Sequence, residues 1–259
     1  MSVLLDNLRA QGRISMSFFV DKIDVTTFKV YKDEPNTLGE LGIKQNKIVE
    51  IPNFVTPEGA ENMINYIESY SDLWGDIAFY GSSGMGIHPD DPRLADYGLP
   101  SMYFDSLRKK FQEAIELVFE RPVKANTSHA QKWDVGGFAA PHSDNSDYDG
   151  HPNAFEINKY VGILYLNGNY EGGELYFRDH GIEFKPEAYS YICFPGGVEN
   201  IHGVKEILKG VRYTMVSFWD FAEAEYSAET QEAWDNEIKK IRQEQADQKI
   251  EWEKGNKYA

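Results

Sequence analysis

Between Lys124 and Phe218 the chain breaks into short apolar and aromatic runs separated by Gly, Asn, Asp and Pro. Six runs read as strands: Ala125 to Trp133, Tyr160 to Leu166, Glu174 to Arg178, Gly181 to Lys185, Tyr189 to Phe194 and Arg212 to Trp219. That punctuation points to compact antiparallel β-structure, and the strand count fits a jelly-roll core.

The flanks are less regular. Residues 1 to about 45 form an accessory segment, with Leu4, Leu5 and Leu8 on one short helical face and strand-like composition from Ser17 to Tyr31. Lys47 to Ile51 reads as a strand ending at Pro52. Thr56-Pro57-Glu58 follows as a helix N-cap, first-turn proline and first-turn acid. That helix should run to about Ser71 and bury Met63, Ile64 and Ile67. A second helix is predicted from Met102 to Phe119, with Phe104, Leu107, Phe111, Ala114, Leu117 and Val118 at helical spacing. Between the two, Trp74 to Pro100 is dense in Gly, Asp, Pro and Ser and reads as a long loop. The domain proper is therefore expected over residues 46–222. Residues 223–259 should form a solvated helical tail with a narrow stripe through Trp234, Ile238, Ile241 and Ile250. That stripe is a candidate face for docking on the core or for self-association.

A net charge of −16 disfavours nucleic acid as a partner, because the average surface repels phosphate. The single cysteine, Cys193, lies in an apolar run and reads as a buried small hydrophobe. No stretch of transmembrane length or secretory signal is apparent, so no membrane contact and a cytoplasmic location are expected.

Six histidines are present, and two of them open His-x-Asp triplets. His88-Pro89-Asp90 sits among glycines and prolines, and a central proline suits a core strand poorly. His142-Ser143-Asp144 precedes a strong strand and is the better candidate. On one strand its two side chains would share a face and could share one ion. His202, after the apolar run Tyr189 to Phe194, is the candidate third ligand. Two imidazoles and a carboxylate leave coordination positions open, as in non-haem Fe(II) oxygenases.

The wider pattern carries a family resemblance. Trp133, Gly136-Gly137, His142 and Asp144 are followed by Ile163-Leu164-Tyr165-Leu166-Asn167, by Gly172-Gly173-Glu174-Leu175 with Phe177, and by His202 with Gly210-Val211-Arg212-Tyr213. In order and spacing this resembles the 2-oxoglutarate and Fe(II)-dependent dioxygenases of the prolyl 4-hydroxylase type, over roughly Lys47 to Phe218. The resemblance implies a double-stranded β-helix (jelly-roll) core that uses Fe(II), 2-oxoglutarate and O2, with ascorbate a candidate reductant. It implies that His142, Asp144 and His202 are the catalytic iron ligands. Arg212 matches the residue that grips the distal carboxylate of 2-oxoglutarate, a task suited to a guanidinium. Tyr165 matches a tyrosine reaching the same carboxylate, and Thr214, two residues beyond Arg212, could add a hydroxyl. Trp133 stands where many relatives line the cofactor pocket with tyrosine, and many collagen-type members have lysine in place of Arg212.

The implied reaction is hydroxylation of an unactivated C–H bond. Asp144 speaks against halogenation, since the related halogenases carry a small residue there. Phe218 stands where nucleobase-demethylating relatives have a second arginine. A peptidyl proline is the first expected substrate by analogy, followed by a free amino acid or other small metabolite. Phe79 to Tyr103 and Asn145 to Lys159 are expected to frame the substrate mouth, with Tyr80, Tyr148, Asp147 and Asp149 as candidate contacts. Two other readings predict no dependence on 2-oxoglutarate: a metal-free jelly-roll binding protein, and a Zn or Mn cupin isomerase.

Overall fold

The computed structural model describes residues 22–38, 42–68, 75–76, 84–87, 101–237, 239–240 and 243. Expectations for Leu4 to Leu8, the first part of the Ser17 to Tyr31 run, most of the 74–100 loop with His88, and Ile238, Ile241 and Ile250 lie outside these residues.

The frame is an eight-stranded antiparallel sheet. Its spatial order is β1 (Lys29–Pro35), β2 (Gln45–Ile51), β11 (Tyr191–Pro195), β7 (Tyr160–Tyr165), β14 (Arg212–Phe221), β5 (Val123–Trp133), β4 (Gly84–Ile87) and β3 (Gly75–Asp76). A four-stranded sheet follows the order β10 (Ile182–Phe184), β9 (Leu175–Phe177), β12 (His202–Val204) and β6 (Ala139–His142). β8 (Glu171–Gly172) and β13 (Ile207–Lys209) form a separate ribbon.

The central strand β7 is buried along its whole length. Its alternation separates two cores. Val161, Ile163 and Tyr165 face inward with Leu175, Phe177, Phe194 and Val204, filling the space between the two sheets. Tyr160, Leu164 and Leu166 face the other side, where helices α1 (Pro57–Glu68) and α2 (Ser101–Phe119) cover the large sheet. Helix α1 begins as its sequence predicts, with Thr56 Oγ1 accepting from the Gly59 amide at 3.0 Å. Met63 and Ile67 are buried, whereas Ile64 is only half-buried. In α2 the apolar face is turned slightly from the expected one: Ile115 is fully buried and Leu117 is 41% exposed. Leu107, Phe111, Ala114 and Val118 pack as predicted.

β1 joins the large sheet as its edge strand, antiparallel to β2. At the other end a helix starts at residue 228, capped where Ser227 Oγ accepts from the Thr230 amide at 3.1 Å. Trp234 stacks edge-on against Tyr226 at 4.8 Å. Among the described residues no helix is long and apolar enough to cross a membrane.

Candidate active site

His142 ends β6 and His202 opens β12, and the two strands pair antiparallel with these residues directly opposite. Residues far apart in the chain are thereby set side by side, their ring centroids 4.4 Å apart. Asp144 does not share a strand with His142, contrary to the sequence expectation. β6 stops at His142, and the chain bends so that the Asp144 amide donates to Gly196 O at 2.7 Å. The bend still delivers the carboxylate. Its oxygens lie 3.7 Å from His142 Nε2 and 3.6 Å from His202 Nε2. One ligand atom from each residue falls within 4.8 Å of the others, a spacing that could hold one metal ion.

Backbone carbonyls fix both rings. His142 Nδ1 donates to Ala140 O at 2.8 Å and His202 Nδ1 to Asn200 O at 2.9 Å. With the proton on Nδ1, each Nε2 presents its lone pair to the centre, as a metal-binding imidazole requires. Burial shifts all three groups away from their charged forms. It pushes Asp144 up to about 8, His142 down to about 4 and His202 well below its ordinary value. Asp144 Oδ2 is buried with no hydrogen-bond partner among the described residues. A cation would satisfy that oxygen, and two imidazoles with one carboxylate fit Fe(II). Phe194 and Phe177 pack against His202 at 4.7 and 5.9 Å and keep one side of the centre dry.

The same interior holds a second polar feature. Arg212, at the start of β14, is 1% exposed, and among the described residues no carboxylate pairs with it. Its Nη2 donates to the Tyr165 hydroxyl at 3.0 Å, while Nε and Nη1 have no partner among the described residues. The guanidinium carbon lies 4.9 Å from the Tyr165 ring centre and 5.2 Å from that of Trp133. A buried cation supported only by rings and one hydroxyl is expensive without an anion. The site is built to receive one.

Two predicted pocket residues turn their donors to a neighbouring side chain. Trp133 Nε1 donates to Gln131 Oε1 at 3.2 Å, so the indole offers the pocket its face and not its N–H. The Thr214 hydroxyl is directed at the same oxygen, at 3.4 Å. Gln131, which sequence reasoning missed, holds both. It lies two residues before Trp133 and so on the same face of β5, the one signal that could have found it. Tyr148 is 63% exposed beside the centre, its hydroxyl on Pro141 O and its ring 5.7 Å from the Arg178 guanidinium.

Comparisons agree with this geometry. Residues 128–220 match the profile of the 2OG-Fe(II) oxygenase superfamily. Prolyl 3-hydroxylase 1 of Gallus gallus is 38% identical over 73 residues, which is 26% of this chain and 10% of that protein. Prolyl 3-hydroxylase 2 of Homo sapiens is 37% identical over 73 residues, with the same shares of the two chains. The chain therefore spans about a tenth of the length of the curated relatives it matches. Among solved structures, the viral collagen prolyl hydroxylase vCPH of Paramecium Bursaria Chlorella virus-1, in its 2OG complex, superposes with a TM-score of 0.51 at 16% identity, over 68% of this chain and 96% of that one. HygX of Streptomyces hygroscopicus, with nickel and 2-oxoglutarate bound, gives 0.51 at 14% identity over 68% and 83%. The expected double-stranded β-helix is thus present, and residues 128–220 of this chain match the 2OG-Fe(II) oxygenase superfamily.

Proposed function

We propose that this chain is an Fe(II)- and 2-oxoglutarate-dependent dioxygenase that hydroxylates a prolyl residue in a peptide or protein. The observation that carries the cofactor reading is Arg212, a buried guanidinium with unpartnered donors inside the same sheet-to-sheet core that presents His142, Asp144 and His202. A structural arginine at such a position would be expected to face a carboxylate of the protein. The prolyl substrate rests on the names of the curated relatives, which are prolyl 3-hydroxylases.

In this reading His142, Asp144 and His202 would hold iron, and the two carbonyl-bonded Nδ1 atoms keep the imidazoles aimed. Arg212 and Tyr165 fix the distal carboxylate of the co-substrate. Iron, 2-oxoglutarate and O2 together supply the oxidant that converts a substrate C–H into C–OH, with succinate and carbon dioxide as by-products. The aromatic walls at Phe177, Phe194 and Trp133 exclude water from that chemistry.

The test has two arms. Anaerobic Fe(II) with 2-oxoglutarate should give a weak visible charge-transfer band in wild-type protein and none in His142→Ala. In air, proline-containing peptides should gain one oxygen with matching succinate, and fragmentation should place the hydroxyl on a prolyl ring. Absence of the band would reject the cofactor reading. Oxygen gained by free amino acids and not by peptides would reject the prolyl one.

A further inference from the structure

We infer that Tyr170 is a second hydroxyl of the carboxylate pocket and sets the preference of this chain for a 2-oxo acid with a distal carboxylate. This rests on the cofactor reading above and deepens it with a residue outside the motif.

The argument is a count of donors. A carboxylate of two oxygens accepts about four hydrogen bonds. Trp133 has one N–H, and Gln131 accepts it. Thr214 has one hydroxyl proton, and Gln131 is its acceptor too. Neither is left to donate into the pocket. Arg212 brings one edge of its guanidinium, the second proton of Nη2 together with the unpartnered Nη1 or Nε, and Tyr165 keeps its own proton because its oxygen is the acceptor of the Arg212 bond. The donor set is completed by Tyr170. Its side chain lies in the same inter-sheet core as Trp133 and Tyr165, is 3% exposed, and ends in a buried hydroxyl with no hydrogen bond of good geometry among the described residues. The Arg212 guanidinium reaches toward that hydroxyl. Burial keeps the phenol protonated, its pKa pushed up to about 12 against the opposing pull of Arg212, so it can act as a donor.

The surrounding chain holds this ring in place. Lys185 Nζ lies 4.3 Å from its centre and donates to Tyr170 O. Gly173, at φ +71°, clears the ring edge, since a Cβ there would sit 2.9 Å from Tyr170 Cε2. Ordering a buried phenol whose hydroxyl stays unpaired is unfavourable unless a ligand supplies the acceptor.

The experiment compares 2-oxoglutarate with 2-oxovalerate, which has the same five-carbon chain but no distal carboxylate. Each is titrated into the full chain with anaerobic Fe(II), following the charge-transfer band to a dissociation constant. Tyr170→Phe should weaken 2-oxoglutarate by about tenfold or more and leave 2-oxovalerate unchanged, as expected for one hydrogen bond to a charged group. Unchanged 2-oxoglutarate affinity overturns the inference, and so does equal weakening of both acids, which marks a structural role. No band with wild-type protein is a failure of the cofactor reading instead. Should Tyr170→Phe not fold, 3-fluorotyrosine placed at position 170 keeps the hydroxyl. Its fluorine resonance should move with 2-oxoglutarate and not with 2-oxovalerate, and a resonance indifferent to both overturns the inference.

Discussion

Changing Arg212 to methionine and Tyr165 to phenylalanine together should make the metal-free protein more stable while sharply weakening its response to 2-oxoglutarate. Arg212 is 1% exposed, and burying one ion costs several kcal/mol even after relaxation. Against this stand two ring contacts, at 4.9 and 5.2 Å, together contributing about 1–4 kcal/mol. The single bond to Tyr165 adds about 1 kcal/mol. The balance leaves the ligand-free guanidinium unfavourable by about 2 kcal/mol, and removing Tyr165 Oη in the same step avoids leaving an orphaned hydroxyl. A gain of that size raises Tm by roughly 4–8 °C in a chain of this length. Ligand linkage runs the other way: at a hundredfold excess over the wild-type Kd, 2-oxoglutarate should stabilise the wild type by about 2.7 kcal/mol and the variant far less. Calorimetry of both chains, metal-free and then with a redox-inert divalent ion and 2-oxoglutarate, measures both effects. A variant that melts below wild type, or that 2-oxoglutarate stabilises as much as the wild type, refutes the reasoning.

Three further outcomes are expected. Asp144 is raised to about 8, so the folded metal-free state holds its proton where the unfolded chain has released it. Stability contributed by this group is therefore present at low pH and declines as pH rises to about 8. His142, lowered to about 4, acts oppositely, but only up to its unfolded value near 6.5. Denaturant midpoints of the apo protein should fall between roughly pH 6.5 and 8, and Asp144→Asn should flatten that slope. Gly162→Ala would place a Cβ 1.7 Å from the Tyr191 hydroxyl, which is bonded to Ser217 Oγ at 2.7 Å, and urea unfolding should record a loss of about 1–3 kcal/mol or more. Ser227→Ala removes the cap of the C-terminal helix, and hydrogen exchange over residues 228–237 should quicken by the equivalent of about 1 kcal/mol.

Much of this molecule can be read from its sequence because the large sheet is regular. β5, β7, β11 and β14 are long enough for composition and turn signals to mark them, and Thr56-Pro57 announces α1 through a cap that the structure contains. The small sheet is harder. β6 carries Pro141 and ends on a ligand, and β12 has three residues, so neither shows a period. His142 and Asp144 therefore meet by means that no periodicity marks: a strand end and a bend bring them to one centre, not a shared strand face. Tyr170 lies in a loop before Gly172, where neither spacing nor propensity marks a side chain turned inward. Donor counts could not be read from sequence either, because Trp133 and Thr214 lose theirs to Gln131 only once β5 and β14 are side by side.

The direct pairing of His142 with His202 also makes the centre a fastening. An ion held there would tie the edge strand β6 to β12, closing a chain segment that includes β7, β9, β10 and β11. Strands of three and four residues contribute few ladder bonds of their own, and loop closure weighs against bringing their ends together. Metal removal should then loosen the small sheet first and leave the large one standing. The cavity for the co-substrate would open from the side that the ion had clamped.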